Sequence, residues 1–226
     1  MNRFIVLTII GALVFAAVGL SSPMMTLYLE SLGASYAYIS IILTSYTATA
    51  LVFNYAWGRI SDVAGRRKAF LVLGLGGMAV ANLLLSIVPN VASAWLVRIL
   101  EGASMAAYGT ISLALMGDLL EQESAGTRGR KGRRMGLYRG LASLAFAGAA
   151  VFGGRIADAF GLRLVFAVCA AIYLIAGIAA LVTIKEPVPV RATQPVASLP
   201  TVKGARAGLG QLPILFLLGV LLWNMT

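Results

Sequence analysis

The sequence contains no histidine, one cysteine and only 8 aspartates and glutamates among 226 residues. Without histidine there is no Ser-His-Asp triad and no imidazole ligand for a metal. The lone Cys169 can close no internal disulfide, and its place in an apolar run marks it as a packing residue. The expectation is therefore a protein that is not an enzyme and holds neither metal nor cofactor. Charge is scarce as well: 12% of residues are charged and 60% are hydrophobic, against about 25% and about 45–50% in soluble domains. With a mean hydropathy of +0.91, the apolar surface exceeds what one aqueous core can hide, and lipid must solvate the rest. The sequence is that of an all-α integral membrane protein.

Six stretches, 4–29, 36–57, 69–88, 91–117, 135–156 and 164–184, are each apolar enough and long enough to cross a bilayer, which takes about 20 residues. The first carries no charge between Arg3 and Glu30 and lacks the cleavage site and polar tail of a signal peptide. Residues 1–184 are thus expected to form a six-transmembrane-helix bundle. Residues 185–212, with Pro187, Pro189, Pro195 and Pro200, read as a cytoplasmic linker. Residues 213–226 read as the truncated start of a seventh transmembrane helix, short of a full crossing.

The formal charge of +10 would suggest nucleic acid in a soluble chain, but here it is distributed by loop. Basic residues follow the second, fourth and sixth spans, whereas Glu30 and a bare Pro89-Asn90 turn follow the first and third. Basic loops stay in the cytoplasm, which places the amino terminus there. All lysines and arginines except Arg98, Arg155 and Arg163 fall on that side when Arg3 and Arg139 are counted with the loops. The Arg128–Arg134 run is then a topology signal, no nucleic-acid partner is expected, and anionic membrane lipids are. Gly74-Leu-Gly76-Gly77 resembles a dinucleotide fingerprint only superficially, since it lies within a span with no strand before it.

Residues 58–70, Gly-Arg-Ile-Ser-Asp-Val-Ala-Gly-Arg-Arg-Lys-Ala-Phe, match residues 154–166 at an offset of 96, with seven of thirteen positions identical. Each copy joins the second to the third span of a three-span unit. Three being odd, the copies lie on opposite membrane faces, and the bundle is expected to consist of two inverted three-helix repeats, as in secondary transporters.

The strongest chemical signal is Arg98 with Glu101. Charges within a span cost about 2.5–3.5 kcal/mol each on insertion scales and so require partners or a wet cavity. A spacing of three puts both on one helix face, which Met105, Tyr108 and Ser112 continue. Glu101 is the only carboxylate well inside a span and is the candidate proton carrier. The plainer account is a self-neutralising pair snorkelling to the outer boundary. Ser21, Ser22, Thr26, Ser40, Thr44, Thr47 and Asn54 either line a cavity or bond back to their own helices. Ala142, Ala145, Ala149 and Gly153 form a small-residue ridge for close helix contact.

These residues resemble the major facilitator superfamily, over the amino-terminal half of its twelve-helix pattern. Gly58, Asp62, Gly65, Arg66, Arg67 and Lys68 are similar to its signature loop after the second helix. Arg98, Gly102 and Ala106 are similar to its second motif, and Asp118 also fits. Val63 departs from the loop pattern, and Ala149-Ala150 stand where antiporters often have Gly-Pro, so the likeness does not extend to a particular antiporter. The resemblance implies alternating access for a small-molecule substrate, with Gly58, Asp62, Gly65, Arg66, Arg67 and Asp118 forming a conformational latch. In that latch Arg66 pairs with Asp118, and Asp62 faces a carboxyl-terminal transporter half absent from this chain. Arg98, Glu101, Met105, Tyr108 and Asn54 are the residues expected at the proton-coupling site and substrate cavity. The expected function is secondary active transport in a cell membrane, as proton-coupled efflux, an efflux-type carrier being favoured by the stretch 23–33 and the Arg98 region. A non-transporting six-helix binding or partner protein is the alternative.

Overall fold

The computed structural model describes residues 3–123 and 128–184, all but the terminal Ile184 lying within or between six α-helices. They are α1 (Arg3–Ser31), α2 (Tyr36–Ala64), α3 (Arg67–Ile87), α4 (Val91–Glu123), α5 (Arg128–Phe160) and α6 (Leu162–Thr183). All six are long and apolar enough to cross a membrane. The linker at 185–212 and the seventh helix at 213–226 lie outside the described residues.

Local chemistry accounts for the breaks. Gly33 and Gly65 take up positive φ of 86° and 63°, and the Gly65 N–H closes α2 on the Ser61 carbonyl, the left-handed stop that an L side chain adopts only with strain. Ser35 caps α2 through Tyr38 N, and Asn90 Oδ1 accepts from Ser93 N at 2.9 Å at the start of α4. Gly161, at φ 86°, separates α5 from α6 at the point equivalent to Gly65. The two sequence repeats thus break at the same place. The signature segment is shorter as a loop than expected, however. Gly58 and Asp62 are helical residues of α2, and only Gly65 and Arg66 stand between α2 and α3.

The helices pack across the repeats rather than within them. α1 lies against α5 and α6, α4 lies against α2 and α3, and α3 meets α6, while α1 barely touches α2 and α4 barely touches α5. Exchanging α1–α3 for α4–α6 maps this pattern onto itself, which is what two inverted three-helix repeats require. α2 and α5 are the least buried pair and carry exposed Leu51, Tyr55, Leu144 and Val151.

The largest buried cluster draws mainly on the other four helices. Ile10, Val14 and Ala17 of α1, Leu71 and Leu75 of α3, Ile111 and Met116 of α4, and Val165, Cys169 and Tyr173 of α6 form one buried cluster. Cys169 is buried and its Sγ donates to the Ala17 carbonyl at 3.3 Å. The small-residue ridge of α5 meets α1: a Cβ on Gly153 would lie 2.6 Å from the Leu20 carbonyl oxygen, so the helices approach to backbone contact.

Candidate functional site

Arg98 and Glu101 are both buried, at 8% and 3% exposure, and their side chains form a salt bridge. Arg98 lies seven residues into α4, about 10 Å from its start. Its guanidinium does not reach for the interface. It stacks on the Tyr46 ring of α2, 4.0 Å from the centroid, a cation–π contact strengthened by exclusion of water. On the other side Asn82 of α3 donates Nδ2 to Glu101 Oε1 at 3.1 Å and to the Met78 carbonyl at 3.0 Å. Three helices therefore hold the pair. Gly102 permits this geometry, since a Cβ there would fall 2.6 Å from the Tyr46 carbonyl oxygen. Asn82 Oδ1 and Arg98 Nε have no hydrogen-bond partner among the described residues, so the buried network is incompletely satisfied.

Met105 and Tyr108 continue the α4 face but open into a different space. Together with Ser112 they line a cavity of about 270 Å³ between α1, α4 and α5, whose other walls include Phe15, Tyr138 and Arg139. Asn54 joins neither group. It is exposed on the α2–α4 seam, where its Oδ1 accepts from Thr110 Oγ1 at 3.0 Å. Below it, Trp57 Nε1 donates to the Ala103 carbonyl at 3.0 Å on the same seam. The hydroxyls of Ser21, Ser40 and Thr47 bond to the carbonyls of Ala17, Tyr36 and Leu43 of their own helices, so their local bonds are already made.

At the far end of α4 the expected Arg66–Asp118 pair is replaced by Arg67–Asp118. Arg67 also reaches Asp62 Oδ1 at 3.3 Å, bridging α2, α3 and α4. The reason is helical phase: Gly65 ends α2, Arg66 is the exposed residue preceding α3, and Arg67 is its first helical residue. Asp62 remains 66% exposed despite this contact. Gly58 sits on the α2–α4 seam, where an added Cβ would meet Thr110 Cγ2 at 3.5 Å.

Sequence reasoning gave no site role to Tyr46, Asn82, Tyr138 or Arg139. Tyr46 and Asn82 are unexceptional in sequence, because a single polar residue within a span announces nothing about which helix it faces. Arg139 did carry a signal. It falls inside the expected fifth span but was grouped with the cytoplasmic basic residues. In the structure its neighbour Tyr138 packs on Gly11 of α1, while Arg139 itself is exposed. A second, more open cleft of about 550 Å³ at the opposite end brings Glu30 and Ser31 of α1 together with Asp158 of α5.

Comparison with known sequences bears on all of this. The sequence model of the Major Facilitator Superfamily matches residues 7–226. The chain is similar to an uncharacterised MFS-type transporter of Methanocaldococcus jannaschii, with 28% identity over 71% of the chain and 40% of the relative. It is 29% identical to the multi-drug resistance efflux pump PmrA of Streptococcus pneumoniae over 76% of the chain and 42% of the relative. With the multidrug resistance protein MdtG of Dickeya zeae it shares 30% identity over 78% of the chain and 43% of the relative. The chain thus spans less than half the length of these curated relatives.

Proposed function

The chain belongs to the major facilitator superfamily, and from that premise we propose that it acts as the amino-terminal domain of a secondary active transporter. The transporter exports a small solute by alternating access, coupled to protons, and works together with a second six-helix domain. Export is favoured by the names of two relatives, an efflux pump and a multidrug resistance protein. The positive-inside asymmetry supports placement in a cell membrane with the amino terminus in the cytoplasm.

The observation that carries the coupling is the buried Arg98–Glu101–Asn82 cluster stacked on Tyr46. An intramembrane carboxylate held by an arginine is a two-state device. Ionised, Glu101 binds the guanidinium. Protonated, it loses most of that attraction and leaves Arg98 to seek another partner on α2 or in the cavity. Because α2, α3 and α4 all contact the cluster, its rearrangement changes how these helices sit against one another. Towards the far end of α4 Arg67 gathers Asp62 and Asp118, and the exposed Asp62 meets the second domain in one end-state of this reading. Met105 and Tyr108 line the solute cavity.

The test is Glu101→Gln, which keeps the size of the side chain and an acceptor for Asn82 but removes the titratable charge. Reconstituted with the second domain, this variant is expected to lose pH-gradient-driven flux while retaining solute exchange. Undiminished driven flux would remove Glu101 from the coupling. No flux from the native protein, with or without the second domain, would instead favour a non-transporting binding protein.

A further inference from the structure

We propose that the α1–α4–α5 cavity binds the anionic group of an amphipathic organic anion, with Arg139 as the recognising cation. This rests on the transport reading above and adds to it a chemical class of solute.

The cavity has an apolar side, Phe15, Met105, Leu113 and Ala142, and a polar side, Tyr108, Ser112, Tyr138, Ser143 and Arg139. Among the described residues Arg139 is the only charged one lining it. Arg139 is exposed at the rim of this cavity, and its neighbour Tyr138 lies against α1, where a Cβ on Gly11 would lie 2.8 Å from Tyr138 Cε2. Gly11 is eight residues beyond Arg3, in a run without charge up to Glu30, about 12 Å along α1. Arg139 falls within the apolar segment Gly132–Phe160, and a cation in a membrane span requires a counter-charge or a polar cavity.

The domain supplies no counter-charge among its described residues. Arg139 forms no ion pair there, and the α4 carboxylates Glu101 and Asp118 are held by Arg98 and Arg67. A guanidinium beside tyrosine and serine hydroxyls matches a carboxylate, sulfonate or phosphate, to which arginine donates through two parallel N–H groups. The apolar wall takes the remainder of the molecule. Anionic lipid headgroups offer the same chemistry, reached by snorkelling of Arg139 towards the membrane surface.

The experiment measures binding rather than flux, so that its outcome is separate from that of the transport reading. The full chain in zwitterionic lipid nanodiscs is titrated calorimetrically with 1-naphthalenesulfonate, with neutral 1-naphthol and with a naphthyl trimethylammonium cation. The sulfonate is expected to bind at least about tenfold more tightly than either analogue, the scale of a charge-assisted hydrogen bond. Arg139→Gln should remove that preference without changing naphthol binding, and Arg139→Lys should retain most of it, which separates recognition from loss of fold. Absence of sulfonate binding, equal affinity for all three probes, or a preference that survives Arg139→Gln would overturn the proposal. So would a sulfonate preference abolished by phosphatidylglycerol in the nanodisc, which would assign Arg139 to lipid headgroups. Selective binding together with a lack of any flux would leave the anion site standing and remove the transport reading. Flux of naphthol without sulfonate selectivity would do the reverse.

Discussion

Gly102→Ala tests whether close contact between α2 and α4 positions the charged cluster. The added Cβ would lie 2.6 Å from the Tyr46 carbonyl oxygen and 3.4 Å from Thr49 Cβ. A contact under 3.0 Å is one that Cβ atoms essentially never make, and a backbone carbonyl cannot rotate aside as a side chain would. The two helices must therefore separate by at least about 0.4 Å here, displacing the Tyr46 ring on which Arg98 stacks at 4.0 Å. Overpacking costs about 1–3 kcal/mol, and contact with backbone puts this site at the upper end. Gly109, two turns further along α4, provides the control, since nothing lies within 4 Å of a Cβ there. Gly109→Ala should gain up to about 1 kcal/mol from alanine's helix preference. The two variants are thus expected to differ by about 3 kcal/mol in reversible unfolding by SDS in mixed micelles, followed by far-ultraviolet circular dichroism. Native-like stability of Gly102→Ala, or equal stability of the two variants, would refute the reasoning.

Two further stability predictions follow from the ion pairs. Removing one partner of the buried pair, by Arg98→Met or Glu101→Leu, should cost about 3–5 kcal/mol because an uncompensated charge stays buried, while the double variant should cost less than either. The same unfolding assay checks this, and additive losses would count against a coupled pair. Arg67→Gln should destabilise by about 1 kcal/mol or more, discounted for the partial exposure of its partners. Arg66→Gln, on an exposed residue, should stay within about 0.5 kcal/mol of native, and the reverse order would restore the pairing expected from the family resemblance.

The residues divide according to how far their signals reach along the chain. Membrane residence, the six spans and the inverted repeat were legible in the sequence, because hydropathy over about 20 residues and a segment repeated at a constant offset of 96 are local or periodic signals. So was the association of Arg98 with Glu101, whose i, i+3 spacing makes them neighbours on any helix. Wherever a partner sits on another helix, the sequence was silent or one residue out. It placed Arg66 on Asp118, and the phase of α3 placed Arg67 there instead. It grouped Asn54 with the charged face of α4, from which the α2–α4 seam separates it. The sequence by itself determined that this is a six-helix membrane domain built from a duplicated unit. Only tertiary structure decided that the repeats interlock, with α1 on α5 and α4 on α2. It also decided that Asn82 and Tyr46 complete the Glu101 cluster and that Arg139 faces a cavity. The physical reason is that a helix displays its own neighbours through its period, whereas the rotation of one helix against another depends on side chains of both.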